Sequence, residues 1–183
     1  MLYSTINRYF RLMRLVFLLF LLCSSEIASA QIAKPFETVT FDGYQIAVYD
    51  YNGLEPLLQT QSDTVFIIHF WATWCGPCVE EIPEIIKFNN AYINQKVKVI
   101  LVSVDMRTKI KSALIPFLKK QDIEAKVIVI SDPDMNRWIP LIDKKWEGTI
   151  PATLIFSKNQ RQFYPHPFNF DELETEVKKF ILP

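Results

Sequence analysis

The chain has 183 residues, and its 20 basic and 20 acidic side chains give a formal net charge of zero. This length is enough for one domain of ordinary size. The sequence has no basic stripe, and nothing in its charge indicates nucleic-acid binding.

The first thirty residues have the pattern of an export signal. Three arginines precede an uninterrupted apolar run over residues 15–23, and Ala28-Ser29-Ala30 has the small-x-small pattern of a cleavage site. We therefore expect a secretory signal peptide over residues 1–30 and one mature domain over residues 31–183.

Two alternatives remain for this N-terminal segment. A permanent membrane anchor needs roughly 20 apolar residues, about twice the length of the run found here. A lipid-modified N-terminus would use Cys23, but Leu22 stands where lipoprotein signals have a small residue. Cleavage would remove three arginines, one glutamate and Cys23, which leaves 17 basic and 19 acidic residues, a net charge of −2 and one cysteine pair.

The first elements of the mature chain are predicted by apolar patterning. Residues 36–51 have short apolar stretches on either side of Asp42-Gly43, which predicts a β-hairpin. A short helix is expected over residues 53–61. Residues 65–71 are apolar on both faces, which is typical of a central strand covered by helices on both sides.

A helix is expected after the two cysteines at positions 75 and 78. At about 100° per residue, Cys78 lies on its apolar face. The other residues expected on that face are Ile82, Ile85, Ile86, Asn89 and Ile93.

The second half of the chain alternates between the two patterns. We predict strands over residues 97–104, 126–130, 153–157 and 162–164, and helices over residues 109–121, 135–145 and 171–182. Pro116 weakens the first of these helices, and Asn169 or Asp171 is expected to cap the last. Alternating strands and helices predict an α/β layered sheet with parallel pairs.

The most informative motif is Trp74-Cys75-Gly76-Pro77-Cys78, at the junction of the central strand and its helix. Unpaired N–H groups and the positive end of the helix dipole stabilise a thiolate there. The thiolate is the form that attacks a disulfide, and a second thiol can resolve the mixed disulfide. The pair closes too small a loop to stabilise the fold much, so a redox role is favoured.

Metal and haem sites fit the cysteines less well. A structural zinc site has four ligands, and the only histidines are His69 and His166. Covalent haem attachment requires a histidine directly after the second cysteine, where this chain has Val79.

These residues resemble the thioredoxin superfamily, and most closely the TlpA/ResA-type periplasmic thiol–disulfide oxidoreductases. The resemblance covers the chain from about Phe36 to the C-terminus. It implies a thioredoxin-like fold: a central mixed β-sheet flanked by helices on both faces, with an N-terminal β-hairpin and an inserted β–α segment around residues 109–130. The residues that carry it are Phe70-Trp71-Ala72-Thr73-Trp74-Cys75-Gly76-Pro77-Cys78, Pro83 and Gly148-Thr149-Ile150-Pro151-Ala152-Thr153.

The resemblance implies roles for the residues around the cysteines. Cys75 is the nucleophile and Cys78 the resolving thiol. Pro151 follows a cis peptide bond, and the backbone of Ile150 pairs with an extended substrate chain. The substrate-binding set is completed by residues of the motif itself: Trp74, which shields the disulfide, Gly76, which allows close approach, and Pro77, which sets the first helical turn.

Two further residues are candidates for proton transfer. Glu81 lies about 60° from Cys78 around the helix, where an apolar site would raise its pKa and allow proton exchange with the resolving thiol. The resemblance implies this role, and the alternative is a surface acid at the helix N-terminus. His69 is a departure from the family, which has an aspartate or a neutral residue there; it is either a proton relay or a core histidine bonded to a backbone carbonyl.

The sequence therefore predicts an exported, periplasmic enzyme that exchanges disulfides with cysteine-containing proteins and needs no cofactor or metal. The family suggests a reductant, as in cytochrome c assembly, supplied by a membrane-bound electron donor; the protein itself would touch the membrane only if the signal segment is uncleaved. Two alternatives remain: a copper-binding chaperone that uses Cys75, Cys78 and His69, and a redox-inert binding module.

Overall fold

The computed structural model of the protein describes residues 33–181. The predicted signal peptide and its cleavage site lie outside this range. Within it, no helix combines the length and the hydropathy needed to cross a membrane.

The described residues form seven strands and five α-helices. The strands are β1 (Glu37–Phe41), β2 (Tyr44–Tyr49), β3 (Val65–Trp71), β4 (Val97–Ser103), β5 (Lys126–Ile130), β6 (Ala152–Phe156) and β7 (Arg161–Tyr164). The helices are α1 (Tyr51–Leu58), α2 (Gly76–Tyr92), α3 (Ile115–Lys120), α4 (Met135–Ile142) and α5 (Phe170–Ile181).

The strands form one mixed sheet in the order β1-β2-β5-β4-β3-β6-β7. The four strands from β2 to β3 in this order are parallel neighbours, whereas β1 at one edge and β6 and β7 at the other pair antiparallel. The predicted hairpin turn is confirmed, because Asp42 and Gly43 have φ of 49° and 82°, which a two-residue turn of this type requires. The sheet is the thioredoxin-like one that the sequence predicts.

Helices cover both faces of the sheet, and β3 divides its side chains between two cores. All seven residues of β3 are buried. Val65, Ile67 and Trp71 pack in the core formed with α2, α3 and α5. Phe66, Ile68 and Phe70 pack in the core formed with α1 and α4. By this alternation His69 faces α2.

The helix expected over residues 109–121 is only partly α-helical. A 3₁₀ turn at Arg107–Lys109 and a π-helical segment at Ile110–Leu114 precede α3. Pro116 lies in the first turn of α3, where its missing N–H breaks no helical hydrogen bond. In a longer α-helix the same proline would clash with the preceding turn, which explains the divided element.

The buried stripe of α2 differs in part from the predicted one. Phe88 and Tyr92 are buried in place of Asn89 and Ile93, and Ile93 is 67% exposed. Phe88 and Tyr92 stack with ring centroids 4.3 Å apart. The centre of the buried stripe therefore lies about 30° from Cys78 on the side of Glu81, at ~100° per residue.

The N-terminus of the last helix, α5, is capped as expected. Asn169 Oδ1 accepts a hydrogen bond from the Glu172 N–H at 2.9 Å, and Glu172 Oε2 accepts one from the Asn169 N–H at 3.1 Å. This reciprocal capping box starts α5 and confirms Asn169, rather than Asp171, as the capping residue.

Candidate active site

The cysteine pair lies where β3 ends and α2 begins. Cys75 is the N-cap residue of α2 and Cys78 is in its first turn; a disulfide joins the two. Cys75 is 7% exposed, whereas Cys78 is fully buried. The Cys78 N–H points at Cys75 Sγ with an N···S distance of 3.3 Å, so a thiolate at Cys75 would receive a charge-assisted hydrogen bond.

Asp105, just beyond β4, fixes the loop that leads into the cysteines. Its carboxylate accepts hydrogen bonds from the Thr73 N–H at 3.0 Å, the Thr73 hydroxyl at 2.6 Å and the Ser103 hydroxyl at 2.8 Å. Asp105 is 2% exposed, and three donors compensate for its burial. Sequence reasoning missed it, because only the β3–β4 pairing brings it to Thr73.

The segment before β6 lies against the cysteine pair. The Ile150–Pro151 peptide bond is cis, as the resemblance implies. The Ile150 carbonyl oxygen lies 3.7 Å from Cys75 Sγ. Trp146 Nε1 donates to the Thr149 carbonyl oxygen at 2.8 Å, so an indole from the loop after α4 holds this segment in place.

The outer face of the motif is open to solvent. Trp74 is 67% exposed, and no atom lies within 4 Å of the place where a side chain on Gly76 would begin. Pro77 is in the first turn of α2. Trp71, by contrast, is buried against Phe117 with ring centroids 5.3 Å apart. Trp74, Gly76 and Pro77 therefore stand at the surface that a partner would approach.

Glu81 is buried in the same core as the cysteine pair and is 4% exposed. Its position about 60° from Cys78 around the helix predicts this burial. Its Oε1 accepts a hydrogen bond from the Phe168 N–H at 2.8 Å. Glu84, one helical turn further on, accepts a hydrogen bond from the Phe170 N–H at 3.1 Å. Burial raises the pKa of Glu81 to about 7, although the Phe168 hydrogen bond acts in the opposite direction. Both the acid and the carboxylate are thus populated near neutral pH.

His69 faces Glu81 from β3. Its Nδ1 lies 3.0 Å from Thr153 Oγ1, and its Nε2 lies 3.8 Å from Glu81 Oε2. Neither Nε2 nor Oε2 has a hydrogen-bond partner within the described chain. Complete burial lowers the pKa of His69 to about 3, so the imidazole is neutral at physiological pH.

The expectation that a core His69 would bond to a backbone carbonyl is wrong, because its partner is the hydroxyl of Thr153. A hydroxyl both donates and accepts, so it suits either tautomer of the ring. The antiparallel register of β3 and β6 sets His69 directly opposite Thr153. Sequence reasoning missed this contact because it predicted both strands but not their pairing.

The site offers little to a metal ion. Among residues 33–181, no group of three or more His, Cys, Asp or Glu side chains is arranged to hold one. The copper alternative therefore has no third ligand of these types beside Cys75 and Cys78 in this part of the chain.

Comparison with known proteins agrees with this geometry. Residues 30–161 match the AhpC/TSA family. The chain belongs to the AhpC/TSA family. Its resemblance to ResA-type thioredoxin-like proteins is also confirmed by the relatives below.

Two relatives of this chain are named as thiol–disulfide oxidoreductases. The chain is 24% identical over 92 residues to Sporulation thiol-disulfide oxidoreductase A of Bacillus subtilis, which covers 50% of this chain and 52% of that protein. It is 22% identical over 135 residues to Thiol-disulfide oxidoreductase ResA of Geobacillus kaustophilus, covering 74% and 67%. The chain thus spans about half the length of the first relative and two thirds of the second.

A solved structure shows the same fold. The thiol:disulfide interchange protein of Chlorobium tepidum, described as a thioredoxin family protein, superposes with a TM-score of 0.57 at 20% identity, covering 82% of this chain and 96% of that one. At this identity the likeness establishes the fold.

Proposed function

We propose that the protein is a thiol–disulfide oxidoreductase that exchanges disulfides with cysteine-containing proteins. The observation that carries the proposal is the position of Cys75, which caps a helix N-terminus, accepts the Cys78 N–H and lies 3.7 Å from the Ile150 carbonyl oxygen. Each feature serves the same reaction: the first two stabilise an attacking sulfur anion, and the third places beside that sulfur the Ile150 backbone, with which the resemblance implies that an extended partner pairs.

The reaction in the reducing direction has two steps. Cys75 thiolate attacks a substrate disulfide, which forms a mixed disulfide and releases one substrate thiolate. Cys78 then loses its proton and attacks Cys75 Sγ, which forms the Cys75–Cys78 disulfide and releases the second substrate thiolate. Two electrons pass to the substrate, and both its thiolates take up protons.

Glu81 is the group that we propose to take the Cys78 proton. It stands three residues after Cys78 on α2, a spacing at which helical side chains are neighbours. With its pKa raised to about 7, its carboxylate can accept a thiol proton at neutral pH and return it in the opposite direction.

His69 is proposed as a relay behind Glu81. Its ring is held by Thr153 on one side, and its Nε2 faces the unbonded oxygen of Glu81 on the other. A neutral imidazole can accept a proton at one nitrogen and release one from the other, which would move charge away from the pair.

We further propose that residues 1–30 direct export to the periplasm and are removed there. The proposed direction is reduction, with electrons from a membrane-bound donor and cytochrome c assembly as one such task. The apolar signal pattern supports export, and the ResA-type resemblance supports the direction.

Single-cysteine variants test the exchange chemistry. Reduced wild type mixed with glutathione disulfide should form the Cys75–Cys78 disulfide. Cys78→Ser should stop at a glutathione adduct on Cys75, and Cys75→Ser should react far more slowly, all followed by intact-protein mass spectrometry. Failure of the wild type to cycle, or equal reactivity of the two variants, would contradict the proposal.

The direction needs a separate measurement, the reduction potential against glutathione. A reductant should lie near thioredoxin, at about −270 mV. A value near that of DsbA, about −120 mV, would reverse the assignment.

A further inference from the structure

In the core shared with the cysteine pair, two buried side-chain atoms face each other without a hydrogen-bond partner. His69 Nε2 and Glu81 Oε2 lie 3.8 Å apart. With Trp71 Nε1 they are the three buried side-chain nitrogen or oxygen atoms that have no partner among residues 33–181. Burial makes an unpaired polar atom costly, and a shift of under about 1 Å brings the first two to hydrogen-bond distance. The imidazole and the carboxyl group are therefore placed to bond to each other.

The direction of that bond depends on the protonation of Glu81. A neutral imidazole carries its proton on one nitrogen and accepts at the other. An ionised Glu81 only accepts, so it requires the proton on His69 Nε2. A protonated Glu81 can donate to Nε2, which requires the ring proton on Nδ1. The ring holds one proton in both cases and only its position changes, whereas Glu81 gains or loses one.

The hydroxyl of Thr153 is the group that meets Nδ1, and it accommodates both positions of the ring proton. Its Oγ1 lies 3.0 Å from His69 Nδ1, and both residues are fully buried. The hydroxyl can donate to a bare Nδ1, or turn so that its oxygen accepts from Nδ1–H. A backbone carbonyl at this place could only accept, and it would hold the ring in the Nδ1–H form.

The elements packed around the pair direct their other ionisable groups elsewhere. Within the described residues, neither His69 nor Glu81 has an ion-pair partner besides the other. Cys78 on α2 is held in the disulfide, and the π-helical segment, α3 and α5 bury only apolar side chains. The remaining ionisable groups are buried Asp105, which accepts from Thr73 and Ser103, and the phenols that belong to or pack on this core: Tyr44, Tyr92, which donates to Glu174, and Tyr164, which donates to Glu176.

We propose that Thr153 is a positioning residue for proton transfer at Cys78: by reversing its hydrogen bond with His69, it lets the ring change tautomer as Glu81 gains or loses a proton. The inference rests on the proposed role of Glu81 as acceptor of the Cys78 proton. Without the Thr153 hydroxyl, a protonated Glu81 would leave Nδ1–H buried with no acceptor. An orphaned N–H is avoided more strongly than an orphaned acceptor, so loss of the hydroxyl disfavours the acid form of Glu81.

Nitrogen-15 spectra of the histidine rings test the proposal, because they distinguish the Nδ1–H, Nε2–H and imidazolium forms. The chain has two histidines, and His166→Gln assigns their signals. In the oxidised wild-type protein, His69 should pass from the Nδ1–H form to the Nε2–H form as the pH rises. The midpoint should coincide with the ionisation of Glu81, whose pKa burial raises to about 7. The carboxyl infrared band that is lost in Glu81→Gln follows that ionisation independently.

Variants of Thr153 isolate the hydroxyl. Thr153→Val keeps the shape of the side chain; it should hold His69 in the Nε2–H form and lower the midpoint of Glu81 ionisation by about one pH unit. Thr153→Ser should restore both wild-type results. Thr40→Val is the control, because Thr40 is an exposed residue of β1; it should change neither result.

The outcomes separate Thr153 from the exchange chemistry. A wild-type His69 that keeps one tautomer while Glu81 ionises would overturn the inference, whether or not the Thr153 variants fold. A Thr153→Val protein with the wild-type midpoint would do the same, and exchange at Cys75 would stand in both cases. Because these spectra use the oxidised protein, they need no turnover. A wild type that fails to cycle with glutathione would overturn the proposed function, and the role of Thr153 with it, even where both tautomers are seen.

Discussion

The unfolding free energy of the Glu81→Gln variant, relative to that of wild type, should rise with pH. Burial raises the pKa of Glu81 from 4.5 to about 7. Because folding raises this pKa, the contribution of Glu81 to the unfolding free energy is fully present below the pKa of the unfolded state. That contribution is lost as the pH rises through the pKa of the folded state. Glutamine occupies the same space and cannot ionise, so this loss disappears.

The size of the effect follows from the shift. One pH unit corresponds to about 1.4 kcal/mol, so wild type loses about 3 kcal/mol through Glu81 between pH 4.5 and pH 7. The difference in unfolding free energy, Glu81→Gln minus wild type, should therefore rise by about 3 kcal/mol from pH 4.5 to pH 8. Glu81 is 4% exposed, so solvent screening does not reduce this figure much.

His69 acts in the opposite direction. Its pKa is lowered from 6.5 to about 3. Its contribution to the unfolding free energy is therefore fully present above pH 6.5 and is lost as the pH falls through about 3. Between pH 4.5 and 6.5 the two groups nearly cancel in wild type. His69 is present in both proteins, so the difference between them reports Glu81 together with its coupling to His69, whose Nε2 lies 3.8 Å from Glu81 Oε2.

Urea unfolding at pH 4.5, 6 and 8 measures this difference. The protein is kept oxidised, with any free thiol alkylated. Glu80→Gln is the control, because Glu80 is the exposed neighbour of Glu81 on α2 and its replacement changes the net charge equally. A difference for Glu81→Gln that stays constant within about 1 kcal/mol over this range would refute the reasoning from burial.

Four further substitutions test other contacts. His69→Asn should alter the pH profile of thiolate formation at the nucleophilic cysteine, followed by thiolate absorbance; an unchanged profile would remove His69 from the mechanism. Asp105→Ala should lower the unfolding free energy by about 2–3 kcal/mol in urea titrations, because one buried and two part-buried donors lose their acceptor; a change below about 0.5 kcal/mol would contradict this. Gly148→Ala should cost about 1–2 kcal/mol, since its φ is +84° and the new Cβ would meet Ile139 Cδ1 at 2.8 Å. Gly76→Ala, where no atom lies within 4 Å, should leave the melting temperature nearly unchanged, and equal losses for the two glycines would contradict the comparison.

Much of the fold could be predicted because its signals are local. The apolar run of β3, the Asp42-Gly43 turn and the cap at Asn169 each fix one element within a few residues of sequence. The cysteine motif could be placed for the same reason, since a strand end and a helix start are both readable from neighbouring residues.

The remainder depended on contacts between distant parts of the chain. Asp105 and Thr153 reach the site only through strand pairing, and single-sequence patterns do not specify which strands pair. Trp146 reads as an ordinary member of a loop. The π-helical segment Ile110–Leu114 before Pro116 departs from the regular α-helical period, so periodicity alone does not reveal it.

The hydrogen bond from the Phe168 N–H to Glu81 also gives the buried acid a spectroscopic reporter. A carboxylate accepts a stronger hydrogen bond than a carboxylic acid does, so the amide resonance of Phe168 should follow the protonation of a side chain that solvent scarcely reaches. Proton movement beneath the cysteines thereby becomes visible at a backbone amide, without a mutation or a substrate.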